Sequence, residues 1–360
     1  MSRVFNFNAG PATLPVEVLQ EVQENLLDWH GCGMSVLEMS HRAEPFATLA
    51  REAEADLRTL LSIPEDYYVL FLQGGATAQW AAAPMNLLGP HESIDYVLTG
   101  TWSSRAAEEG AKYARAHVVA KPEDGFTCIP ERSTWQLDPH AAYLHYTPNE
   151  TIHGVEYHWI PDIISVPLVA DFSSCFLSRP VDVTRFGMLY AGAQKNAGPA
   201  GMTVVIVRKD LLKVAPARAL PRILDYRQQG EKDSMLNTPP CFSWYVSGQI
   251  FKWLLQRGGL PAVEAVNARK SAKLYAYLDG EPFYATPVAK RDRSRMNVVF
   301  RLPDEALNKA FLEGAKAAGL AGLKGHRSIG GMRASLYNAL PEEAVTQLIQ
   351  YLREFARTRG

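Results

Sequence analysis

The sequence predicts an α/β protein: a large domain with a mostly parallel sheet covered by helices, followed by a smaller C-terminal α/β domain. Three observations carry that expectation. Short apolar runs alternate with stretches of helical periodicity through most of the chain. Polar or glycine-rich residues follow each of these runs on its C-terminal side. Beyond Gly258-Gly259 the pattern starts afresh with its own helices and strands.

Apolar residues recur at helical spacing from Glu17 to Trp29, and again through "EPFATLAREAEADLRTLLSI". The apolar runs come next: "YYVLFL" ending at Leu72, "DYVLTG" at Gly100, "AYLHYT" at Thr147, "VPLVADFSS" around Asp171, "GMLYAGAQK" towards Lys195, and "GMTVVIV" ending at Val207. Continuous apolar runs separated by helical segments suit strands of a parallel sheet buried on both faces. The helical stretch "SWYVSGQIFKWLLQRGG" closes on a glycine pair, a natural helix stop. After it come a helix ("VEAVNARKSAKLYAYLD"), a strand ("RMNVVFRL"), a helix ("LNKAFLEGAKAAGL"), a strand ("GGMRASLYN") and a last helix with Pro341 in its first turn. The expected division is a large domain over residues 15–258 and a small one over 259–360, joined by residues 1–14.

Composition narrows the function. The 360 residues are 47% hydrophobic and 21% charged, an ordinary globular balance. With 37 Lys+Arg against 38 Asp+Glu, the net charge of -1 points to neither nucleic acid nor an acidic membrane as partner. Any anion recognition must be local. No run approaches the ~18 apolar residues that span a bilayer, and the first residues show no apolar signal core. Cys32, Cys128, Cys175 and Cys241 are spread without a CxxC pair or a histidine at zinc spacing. The expectation is a reduced, cytoplasmic protein without a disulfide framework or structural metal.

In open α/β sheets ligands bind beyond the carboxyl ends of the strands, which places Gly74–Gln79, Trp102, Asn149–Thr151, Asp171 and Lys195 where they can converge. Gly74-Gly75 opens a helix whose first amides, near Ala76 and Thr77, can hold a phosphate; the same residues also make a plain strand–helix turn. Neither GxGxxG nor a GK[ST] phosphate loop is present. Asp171 reads as a helix cap or as a fixed anion that keeps a ring nitrogen protonated. Lys195 reads as a solvated loop lysine or as a nucleophile, with Ala197–Gly201 clearing bulk from around it. An amine with a distant acidic partner is the pattern of pyridoxal phosphate (PLP) sites. Trp102 is either core or a platform for a flat ring. His41-Arg42, His326-Arg327 and Arg333 suit surface ion pairs or the bidentate capture of carboxylate and phosphate.

"FNFNAGPATLP", "MSHR", "GGATAQ", "GTWS", "HYTPNETIHG", "ADFSS", "GAQKNAGPAG", "NTPPCFSWY" and "KGHRSIGGMRAS" together resemble, nearly end to end, the phosphoserine aminotransferase family, PLP enzymes of fold-type I within the class V aminotransferases. The resemblance implies that Lys195 carries the cofactor and shuttles the proton, while Asp171 pairs with the ring nitrogen. It implies that Trp102 stacks on the ring, Thr151 and Gln194 touch the cofactor, and the Ala76-Thr77 backbone binds its phosphate. Asn237 and Thr238 would reach that phosphate from a second subunit of a homodimer. His41, Arg42, His326 and Arg327 would hold substrate anion, and Arg333 the α-carboxylate. The implied reaction moves the amino group of L-glutamate to 3-phosphohydroxypyruvate, giving O-phospho-L-serine for serine biosynthesis. A four-carbon phosphorylated homologue, on the way to pyridoxine, is a second implied substrate. Thr77 and Ala9 stand where some members have arginine and serine, so no side-chain contact to substrate is expected from either. The competing readings are another fold-type I PLP enzyme, such as a serine–glyoxylate-type aminotransferase or a cysteine desulfurase, and a dehydrogenase; a desulfurase needs a reactive cysteine on a mobile loop, and a dehydrogenase needs the missing GxGxxG.

Overall fold

A computed structural model describes residues 3–359 apart from residues 124 and 164. Its helices are α1 (Val16–Glu24), α2 (Glu44–Leu61), α3 (Gly75–Leu87), α4 (Thr101–Gly110), α5 (Tyr226–Gly230), α6 (Cys241–Gln256), α7 (Gly259–Gly280), α8 (Asn308–Ala317) and α9 (Glu342–Arg359). The strands are β1 (Phe5–Asn6), β2 (Tyr67–Leu72), β3 (Ser93–Val97), β4 (Arg115–Ala120), β5 (Leu144–Tyr146), β6 (Asn149–Glu150), β7 (Val155–Glu156), β8 (Leu168–Asp171), β9 (Met188–Gly192), β10 (Thr203–Arg208), β11 (Asn297–Phe300), β12 (Leu320–Ala321) and β13 (Met332–Ser335).

The main sheet has seven strands in the order β2-β10-β9-β8-β5-β3-β4. Its side chains alternate between two buried faces, as a pleated strand requires. Val69, Phe71, Ala170, Leu189, Val204 and Ile206 face a core shared with α2 and α6. Leu70, Leu72, Val169, Tyr190, Val205 and Val207 face the opposite core, with Trp80 of α3 and Ala106 of α4. Strands buried on both sides read as unbroken apolar runs, which is why they are visible in the sequence.

Three details differ from the sequence expectation. Strand β10 runs antiparallel to both neighbours. A parallel return needs a crossover of a dozen or more residues, whereas the segment 193–202 leads straight back into the sheet. Strand β4 occupies the sheet edge, where Arg115 and Val118 are exposed, so it carries no continuous apolar run. Helix α1 stops at Glu24 rather than Trp29, because the Asn25 amide turns back onto the Glu21 carbonyl (2.9 Å) and carboxylate (3.0 Å).

A further core joins Phe7 to Leu274, Leu278, Val298, Phe300, Phe311, Leu348 and Leu352, around the antiparallel pair β11–β13. The N-terminal segment crosses between the cores: β1 pairs with β12, and the Ala12 amide donates to the Gln194 carbonyl at 2.8 Å. Helix α7 also feeds both, with Leu260 and Val263 in the sheet core and Leu274 and Leu278 in the C-terminal one. Among the described residues no helix is long and apolar enough to cross a membrane.

Candidate active site

Lys195 sits in the loop between β9 and β10, held at its base by the Ala193 amide donating to the Met202 carbonyl at 2.9 Å. Its side chain is half-buried. The ammonium donates to Thr151 Oγ1 at 2.7 Å and lies 6.0 Å from the centre of the Trp102 ring. Burial, reinforced by the charge of Arg333, pulls the amine down to about 8 despite the attraction of Asp171. A lysine so placed has a sizeable neutral fraction near neutral pH, as a nucleophile needs.

Asp171 ends β8 and is buried, so its carboxyl titrates above the ordinary carboxylate range. The Ser173 amide, donating to its Oδ1 at 2.9 Å, and the charge of Lys195 both oppose that rise. A buried acid of this kind gains most from a cation brought to it.

These groups border one cavity of about 140 Å³, lined among others by Ala76, Thr77, Trp102, Thr151, Asp171 and Lys195. Gln194 also lines it. Helix α3 begins there on Gly74 at φ 95°, where a Cβ would collide with the methyl of Ala78, and no side chain among the described residues caps its first turn. Those open amides and the helix dipole make a site for an anion. Thr147 Oγ1 and Trp102 Nε1, both buried and both from residues lining the cavity, have no hydrogen-bond partner among the described residues. The donor set therefore fits a flat aldehyde with a phosphate at one end and a basic ring nitrogen at the other. A larger cleft of about 940 Å³ lies between α1, α7 and the 338–342 turn, but no lysine among the described residues lines it.

The arginines and histidines divide. Arg333 reaches the rim, its guanidinium donating to the Thr151 carbonyl at 3.3 Å, with Nε buried and unpartnered among the described residues. His326 is held by Ser328 at 2.7 Å, and partial burial, followed by the charges of Arg333, Arg327 and Arg105, lowers its pKa. Arg327 is exposed. His41, Arg42, Asn237 and Thr238 do not line the Lys195 cavity within one chain. Arg42, Asn237 and Thr238 are exposed on loops, and the Thr238 carbonyl instead accepts from Gln73 at 3.0 Å.

Thr147, Ser173 and Ser174 also line the cavity, although no motif in the sequence singles them out. Each follows a strand end, and that position was the available signal.

An amine nucleophile, a buried acid and an open helix start at the carboxyl edge of such a sheet define a PLP-type transferase. The sequence model of the Aminotransferase class-V family matches residues 4–348, and the chain belongs to that family. It is 56% identical over 355 residues to the phosphoserine aminotransferase of Hahella chejuensis, covering 98% of each chain. Among solved structures it is similar to the phosphoserine aminotransferase of Bacillus circulans subsp. alkalophilus, with 46% identity, a TM-score of 0.96 and 99% of both chains covered. The PLP-bound phosphoserine aminotransferase of Trichomonas vaginalis matches at 42% identity and TM-score 0.95, over 98% of this chain and 100% of that one.

Proposed function

We propose that this chain is a PLP-dependent phosphoserine transaminase, passing the amino group of L-glutamate to 3-phosphohydroxypyruvate. The observation that carries the reading is Lys195, its amine on Thr151 and beside Trp102, sharing one cavity with Asp171 and the start of α3. The family match and the full-length relatives support the same conclusion. When bound, PLP supplies the electron sink that lets the substrate's Cα proton leave and return.

The chain supplies the rest. Amides at Ala76 and Thr77 would hold the phosphate, and Asp171 would keep the ring nitrogen charged. Trp102, Thr151 and Gln194 would hold the ring, and the Lys195 amine would hold and return the substrate's proton. Arg333 takes the α-carboxylate. His326, Arg327, His41 and Arg42 serve the remaining anion of either substrate, the last two from a second copy of the chain. Exposed Leu27 (86%) and Leu37 (60%) lie in the same segment between α1 and α2 that carries His41 and Arg42, and covering them is a reason for two copies to associate. Asn237 and Thr238 then cross to the other copy's phosphate site.

The test is substrate discrimination. Purified protein with PLP and glutamate should turn over 3-phosphohydroxypyruvate at least ~10-fold faster, as kcat/KM, than the unphosphorylated hydroxypyruvate. Arg42→Ala and Arg327→Ala should erase most of that preference through KM, and equal rates on both oxo acids in the parent protein would defeat the assignment.

A further inference from the structure

Glu150 is wholly buried and has no part in the roles just given. It lies in β6 between Asn149 and Thr151, yet its carboxylate reaches the start of α4. One oxygen accepts from the Ser103 amide (2.8 Å) and the Ser103 hydroxyl (2.7 Å); the other accepts from the Trp102 amide (3.1 Å). The Ser103 oxygen in turn accepts from the amides of Thr99 (2.9 Å) and Gly100 (3.1 Å).

The usual device at a helix start is a serine, threonine, aspartate or asparagine in the cap position. That position is Gly100, which has no side chain to offer. Its φ of 175° is ordinary extended backbone, so conformation does not call for glycine. Space does, because a Cβ at 100 would occupy the volume of the Glu150 carboxyl. A local cap would satisfy the same amides without linking α4 to anything else. A cap sent from β6 ties Trp102 to Thr151, the residue next to Glu150 in the chain and the partner of the Lys195 amine.

We propose that Glu150 is a positioning residue for cofactor capture, its carboxylate holding Trp102 and Thr151 to one geometry so that PLP affinity depends on it. The proposal rests on the cavity being the PLP site. Burial pushes the Glu150 carboxyl up to about 6, with Asp171 adding to the rise and the Ser103 and Trp102 donors opposing it. The other titratable groups around it are Lys195, whose ammonium its charge favours, and Tyr157. As pH falls through about 6 the carboxylate gains a proton and turns one acceptor into a donor facing an N–H, which loosens the cap. Glu150→Gln reproduces that neutral state at every pH.

The experiment measures the Kd of PLP for apoenzyme by tryptophan fluorescence from about pH 5 to 8. Parent protein, E150Q and Ser103→Ala are compared, with apoenzyme Tm recorded for each. E150Q is expected to bind at least ~10-fold more weakly at neutral pH and to lack the additional fall in affinity that the parent shows near pH 6 beyond the slope set by Lys195, with apoenzyme Tm little changed. S103A, which keeps both amide contacts, is expected to lose roughly threefold. E150Q binding within about twofold of the parent, with a superimposable pH profile, overturns the proposal. Should E150Q fail to fold, unchanged affinity in S103A overturns it instead. A parent protein that binds no PLP at all strikes the functional reading, not this one.

Discussion

Lys195 and Lys270 are both drawn well below the ordinary lysine range by burial, the first to about 8 and the second to about 7. What surrounds the two nitrogens differs. Lys270, 1% exposed on α7, donates to the carbonyls of Leu336 (2.9 Å), Tyr337 (2.8 Å) and Leu340 (3.1 Å), one acceptor for each N–H. Lys195 has one hydroxyl acceptor and faces a cavity. A lowered pKa therefore reports mainly desolvation and not reactivity, which also needs an unfilled donor and room for an electrophile. Lys270 is a bolt, and what it fastens matters to the site. The clamped turn presents the Asn338 amide to the Asn196 side chain at 3.0 Å, one residue beyond Lys195.

The sharpest way to break this contrast is to delete each amine. Lys195→Ala should lower kcat by at least ~10⁴-fold while leaving the denaturation midpoint nearly unchanged, and turnover above a few per cent would deny it the nucleophile's role. Asp171→Ala should cost roughly 10²- to 10³-fold in kcat, through lost stabilisation of charge on the ring. Lys270→Met takes the donor from the Leu336 and Leu340 carbonyls, while that of Tyr337 keeps the Leu340 amide at 2.9 Å, and should lower folding stability by about 2 kcal/mol in urea titrations, with kcat of the folded protein within roughly fivefold. A stability loss below about 1 kcal/mol would show the clamp to be dispensable.

Titration sharpens the comparison with a smaller effect. Only a neutral amine attacks an aldehyde, so PLP recapture by apoenzyme should accelerate about tenfold per pH unit below pH 8 and level off above it. The sign follows from a folded pKa below the free lysine value: the reactive form gains as pH rises towards 8. Recapture that keeps rising to pH 10 would place Lys195 in ordinary solvent.

How much of this was legible beforehand depends on range. Strands β2, β8, β9 and β10 announce themselves because both faces are buried, and Asp171 and Lys195 follow from standing where such runs stop. Edge strand β4 is half solvent-facing and so carries no such run. The reversal of β10 depends on loop length, which apolar periodicity does not encode. Glu150 and Lys270 act on residues far from them in the chain, and nothing local to "PNET" or "ARKSAK" specifies a helix cap or a triple carbonyl clamp. The expected roles of Asn237 and Thr238 involve a second copy of the chain, and one chain leaves them exposed.

The reversed strand has a stereochemical consequence. Because β9 and β10 hydrogen-bond to each other on either side of the Lys195 segment, the amine is tethered at both ends of a short arch. It moves by side-chain torsions and stays on one flank of any planar molecule lying against Trp102. A proton delivered from a fixed flank enters a trigonal carbon from that side alone. If Lys195 moves the proton as proposed, the handedness of the amino acid made here depends on which flank this arch turns towards the substrate carbon.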